Sequence, residues 1–136
     1  MNGSKPLIKE MKAYLEGRVE FYAPLALDTL EREERGVALI QRGGPFALRR
    51  YFCGGFVGSF AFAVYCKSPD KEQACRQLAA VEQVFAACGL PELEGAAVLK
   101  VEQTSAPSLL KAEKDGSYIY GAEYALSYYK EVAEHV

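Results

Sequence analysis

The chain has 136 residues, 50% of them hydrophobic and 25% charged, with a formal net charge of −2. That length is typical of one domain, expected to span residues 1–136, and folding at this size buries roughly two thirds of the extended-chain surface without metal or disulfides. The charge argues against a nucleic-acid binder, which needs a basic face to displace phosphate counterions, and no apolar run approaches the ~18 residues of a membrane span.

Helical spacing of Leu7, Ile8, Met11 and Leu15 predicts a first helix from about Ser4 to Glu16, capped by Ser4 and stopped at Gly17. Phe21, Tyr22 and Leu25 surround Pro24 in an irregular connection. Glu31-Arg32-Glu33-Glu34-Arg35-Gly36 reads as an exposed, charged turn. A short strand, Val37 to Ile40, precedes a turn at Gly43-Gly44-Pro45, and a second strand runs from Phe46 to Phe52.

Gly54-Gly55 leads into the strongest strand, Phe56 to Cys66. Its even positions carry Phe60, Phe62 and Val64. Its odd positions carry Ser59, Ala61 and Ala63, small enough for a helix to approach closely. Ser68-Pro69-Asp70 opens the best helix, with Ser68 as cap. Ala74, Leu78, Val81, Phe85 and Cys88 form its apolar stripe, and Gly89 ends it. Ala97, Leu99 and Val101 alternate with Val98, Lys100 and Glu102 in a half-buried strand. Asp115-Gly116 signals a hairpin before a last strand from Ser117 to about Tyr129. There Tyr118, Tyr120, Tyr124, Leu126 and Tyr128 share one face, and Ile119, Glu123, Ser127 and Tyr129 the other. The order α-β-β-β-α-β-β predicts an α+β fold: a mainly antiparallel sheet of about four to five strands with two helices packed on one face.

Candidate chemistry is sparse. Cys53, Cys66, Cys75 and Cys88 are spaced 13, 9 and 13 residues apart, without the close pair that zinc sites use, and read as free thiols filling a core. A serine or cysteine nucleophile usually needs a histidine beside it, and the only histidine, His135, lies in an expected C-terminal tail where such a residue is ordinarily solvated. Gly54-Gly55-Phe56-Val57-Gly58 resembles a phosphate loop only in composition, since a strand follows it where a helix N-terminus is needed. No catalytic residue, cofactor or metal site is expected, and the chain reads as non-enzymatic. The nine tyrosines, five of them between Tyr118 and Tyr129, suit either a core edge or a protein interface. Arg49, Arg50, Tyr51, Tyr118, Tyr120, Tyr124, Tyr128 and Tyr129 are the candidate interface residues.

From Pro45 to Tyr129 the order of motifs resembles that of minor capsid or tail-terminator-like proteins of Gram-positive prophages. The resemblance rests on Pro45-Phe46-Ala47-Leu48-Arg49-Arg50-Tyr51-Phe52-Cys53-Gly54-Gly55, then Phe60-Ala61-Phe62, a long helix, and Leu90-Pro91-Glu92-Leu93. Pro107-Ser108-Leu109-Leu110 follows, and then the strand from Tyr120 to Tyr128. Cys53 stands where such proteins often carry an acid, and Ala122 where they carry Ile. The resemblance implies a structural role in a homo-oligomeric, hexameric ring. Such a ring caps a tail tube and meets tail-tube and head-connector proteins, with DNA at most passing through its lumen. The N-terminus lacks the apolar core of a signal peptide. The expected location is therefore the cytoplasm on synthesis and the virion, at the tail or head–tail junction, once assembled. The competing reading is a small cytoplasmic binding or adaptor domain that pairs through an exposed strand edge.

Overall fold

The computed structural model describes residues 6–30, 33–51, 54–87, 89–94 and 96–131, without the side chains of 45–48. The elements are α1 (Leu7–Glu16), β1 (Leu25–Leu27), β2 (Gly36–Arg50), β3 (Phe56–Ser68), α2 (Lys71–Ala87), β4 (Ala97–Ala112) and β5 (Tyr118–Lys130). The strands form one mixed sheet in the order β1-β2-β3-β5-β4. Only β1 and β2 run parallel; the other neighbours are antiparallel.

The letter order of elements is the expected one, with different contents. Gly43-Gly44-Pro45 does not turn the chain, so the two expected strands are one. Gly44, at φ 80°, sits in a register shift between Gly43 and Phe46, and β2 continues along β3 through it. The extra residues bulge out of the ladder instead of ending it. The strand missed from sequence is β1, three residues beside Pro24. Asp28 returns the chain from it at φ 65°, its amide donating to the Leu39 carbonyl and its carboxylate accepting from the Gln41 amide. Such local hydrogen bonding is what lets an aspartate occupy the left-handed region.

The centre of the sheet is regular. β3 and β5 pair without interruption from Phe56↔Lys130 to Ser68↔Tyr118. Their even-numbered residues face both helices. Phe60, Phe62, Val64 and Cys66 on β3, and Ala122, Tyr124, Leu126 and Tyr128 on β5, are at most 2% exposed. Tyr124 stacks on Phe62 with ring centroids 5.3 Å apart, and Phe85 of α2 closes on Tyr124 at 5.1 Å. The small-residue face of β3 therefore carries no helix. The aromatic face does, because burying Phe and Tyr rings removes far more apolar area from water than burying alanines.

Both helices cover this face. Met11 and Leu15 of α1 and Ala74, Leu78 and Val81 of α2 are fully buried in the same cluster as the strand residues. Pro6 is the residue before α1, and the proposed cap Ser4 lies outside the described residues. At α2 the cap moves two residues on. Ser68 Oγ accepts from the Asp70 amide, and Asp70 Oδ1 accepts from the Glu72 amide, so Asp70 caps a helix that starts at Lys71. Gln77, buried on α2, accepts from the Tyr22 amide at 2.9 Å, and the Tyr22 hydroxyl donates to the Lys67 carbonyl at 2.8 Å. These bonds tie the irregular connection to the sheet.

Cys66 is a buried free thiol and Cys75 an exposed one. Cys53 and Cys88 lie outside the described residues. Burial pushes the Cys66 thiol well above the ordinary range, which leaves it un-ionised at neutral pH. A thiol reagent should therefore label Cys75 in the native protein and Cys66 only after unfolding. Mass mapping that finds Cys66 labelled at the native rate of Cys75 would contradict the buried placement. Leu78→Ala should cost ~2–5 kcal/mol of stability, read by denaturant titration, as expected for truncating a fully buried leucine.

Candidate assembly surface

The candidate residues named from sequence fall into three places. Tyr124 and Tyr128 are core residues, each 2% exposed, and cannot touch a neighbour. The same row of the pleat that holds Phe60 and Phe62 holds them. Burial raises the Tyr124 hydroxyl to about 12, although Gln103 Nε2 donates to it at 3.4 Å. Tyr118 and Tyr120 lie at the far end of β5, half-buried beside the start of α2. Lys71 Nζ sits 4.6 Å from the centre of the Tyr118 ring, a cation–π contact.

Arg49, Arg50, Tyr51 and Tyr129 do come together, at the opposite end of the sheet. Arg49 pairs with Val57, which pairs with Tyr129. Tyr51 is 42% exposed and its ring centroid lies 6.2 Å from that of Tyr129. Arg50 lies over Phe56 at 5.3 Å. Tyr129 lies directly over Gly55, where any Cβ would meet its ring. The glycine is what permits that close approach. Arg49 therefore shares the face of the tyrosine pair, whereas Arg50, over Phe56, lies on the helix side of the same sheet end.

A second surface was not legible as such in the sequence. β4 is sixteen residues long and stands at the edge of the sheet, with only β5 beside it among the described residues. Every residue from Glu102 to Ala112 is exposed. Leu99, Leu109 and Leu110 are each about half exposed. The expected alternation placed Leu99 inward with Val101. A bulge between Val98 and Lys100 shifts the phase, so Val98 and Val101 stand opposite the core residues Tyr128 and Leu126, and Leu99 faces outward. Four such irregularities separate β4 from a regular ladder, one of them around Pro107. Proline is tolerated at an edge and in a bulge, and its presence in this strand was the sequence signal for an edge. Leu110 reaches across the helix-free face to Gly121, beside Tyr65.

The turn from β4 to β5 is a three-residue loop. Glu113 N–H donates to the Ser117 carbonyl, and Gly116 takes φ 92°. The Asp115 carboxylate accepts from both the amide and the hydroxyl of Ser117, and lies 3.8 Å from Lys67 Nζ. The Ser117 bonds hold its carboxyl below the usual range.

No group of acidic, cysteine and histidine side chains able to hold a metal occurs among the described residues. Among the described residues no helix is long and apolar enough to cross a membrane. His135 lies outside the described residues. Glu33 and Glu34 are exposed, and Arg35 pairs with Glu34. An open groove of about 440 Å³ lies between the 20–22 connection and α2, lined by Tyr22, Arg76 and Gln77. It brings no nucleophile against a base. Comparison with protein-family models finds no match, and neither does comparison with curated proteins.

Asp115 favours the folded state by way of a depressed pKa. Its contribution is complete above the ordinary aspartate range near ~3.9 and disappears as pH falls through the lower folded-state value. Asp115→Asn should lower the melting temperature at neutral pH, and the gap to the unmodified protein should close on acidification. A gap that stays constant with pH would remove Asp115 as the group responsible.

Proposed function

We propose that this protein is a non-enzymatic structural component that works by assembling with copies of itself. The setting is the one suggested by the motif order from Pro45 to Tyr129, a ring at the end of a phage tail or at the head–tail junction. The observation that carries the self-assembly reading is the open edge of β4, with Leu99, Leu109 and Leu110 about half exposed along it. A long edge of unpaired N–H and C=O groups is a template for another strand. Exposed apolar side chains along such an edge gain by being covered.

A closed ring needs two contact surfaces on each subunit. The cluster of Arg49, Arg50, Tyr51 and Tyr129 supplies a second, in the residue types enriched at interfaces. The partners in this reading are further copies, the tail-tube protein and the head connector. DNA would pass through the lumen without sequence readout, and a net charge of −2 per copy gives it no general attraction to the subunit.

Light scattering over a concentration series, with electron microscopy of the largest species, tests the reading. The unmodified protein should form discrete oligomers. Leu99→Asp combined with Leu109→Asp should shift them to monomer with little change in stability, since both side chains are on the surface. A protein that stays monomeric at every concentration and does not bind tail tubes would overturn the reading in favour of an adaptor that takes a foreign strand.

A further inference from the structure

We infer that the partner of the β4 edge is the β4 edge of a second copy, paired antiparallel across a two-fold axis at the level of Ala122. The inference rests on the self-assembly reading and adds its symmetry and register.

Pairing with β5 fixes which side chains of β4 share the helix-free face. Lys100, Glu102, Ser105, Ser108 and Lys111 stand opposite Ser127, Ala125, Glu123, Gly121 and Ile119, alternate positions of a regular strand. Glu113, bonded through its amide to the Ser117 carbonyl, continues the row. The bulges thus leave these six side chains evenly spaced on one face, although their sequence spacing is uneven. In order along the edge the row is plus, minus, neutral, neutral, plus, minus.

A two-fold axis perpendicular to the sheet keeps each face on its own side and reverses the strand. Centred on the level of Ala122, midway between the levels of Ser105 and Ser108, it sets Lys100 against Glu113 of the other copy. It likewise sets Glu102 against Lys111 and Ser105 against Ser108. Each charged match occurs twice by symmetry, so every charge in the row meets its opposite. On the helix-side face the same axis sets Val101 against Ala112, whose β5 partners Leu126 and Tyr118 are equidistant from Ala122. Parallel pairing of the same edge needs a rotation about the strand axis, which puts the two charged rows on opposite faces of the sheet and leaves none of these charges matched.

The charges are available for this. Lys100 with Glu102, and Lys111 with Glu113, form ion pairs of 3.5 and 3.7 Å along the strand. Lys100, Glu102 and Lys111 keep more than half of their side-chain surface exposed. Ala106 and Pro107 fall at the centre, in the register shift between Ser105 and Ser108. Pro107 has no N–H to offer there, so the new ladder forms on the two flanking arms, which the axis exchanges.

Two variants test the register. Lys100→Glu with Lys111→Glu makes the charged row wholly acidic, and Glu102→Lys with Glu113→Lys makes it wholly basic. Each alone should self-associate about tenfold more weakly or worse than the unmodified protein, since opposed like charges now repel. An equimolar mixture should form one-to-one heterodimers, read by native mass spectrometry. If either variant fails to fold, Lys111→Glu alone should dissociate the dimer and Glu102→Lys added in the same chain should restore it. Variants that associate like the unmodified protein, or a mixture that does not pair, would overturn the two-fold register while leaving self-assembly standing. An unmodified protein monomeric at all concentrations would overturn both.

Discussion

The uninterrupted pairing of β3 with β5 is the constraint on which the rest of the structure depends. Thirteen consecutive residue pairs, from Phe56↔Lys130 to Ser68↔Tyr118, hold two strands in one register. Because side chains alternate at period two, this register puts Phe60, Phe62 and Val64 on the same face as Tyr124, Leu126 and Tyr128. A slip of one residue on either strand would turn half the aromatic core to solvent. The aromatic rings then decide where the helices go. Phe85 of α2 packs against Phe62 and Tyr124, and Leu78 and Val81 follow on the same stripe. α1 joins from the other end through Met11 and Leu15.

Regularity at the centre contrasts with irregularity on both sides. β2 has three register shifts against β3, and β4 has four against β5. Each extra residue lengthens the outer strand relative to the inner one and increases local twist and bend. The two flanks have different neighbours. β2 is closed on its outer side by β1, held in place by the Asp28 bonds to Leu39 and Gln41. β4 has no such cover among the described residues.

What the sequence made legible follows this division. Amphipathic elements whose period stays unbroken were readable: the apolar stripes of α1 and α2, and the two faces of β3 and β5. Elements whose period is broken by extra residues were not. Gly43-Gly44-Pro45 has the composition of a turn, and only the continued ladder with β3 makes it a bulge. Leu99 looked inward because Ala97, Leu99 and Val101 alternate cleanly, and a single bulge reverses that. β1 is too short for any period to show. The interface residues divide in the same way. Tyrosine content pointed to β5 as a whole, whereas only position in the pleat separates the buried Tyr124 and Tyr128 from Tyr129, which lies beside the exposed Tyr51.

Charged residues on an edge strand have two physical uses that differ in pattern. Lysines of a single sign, with proline, repel any incoming copy and keep the edge solitary. The β4 edge has Pro107 and lysines, but each lysine on its helix-free face is followed by a glutamate on the same face, Lys100 by Glu102 and Lys111 by Glu113. Alternating signs repel poorly in general, because some register always matches them. They select instead, admitting an antiparallel copy in the alignment that matches the signs. The exposed leucines point the same way, since an edge meant to stay bare gains nothing from Leu99, Leu109 and Leu110 in water. Specific pairing by charge and burial by leucine are complementary here. The first sets which alignment forms, and the second supplies much of the free energy once it has formed.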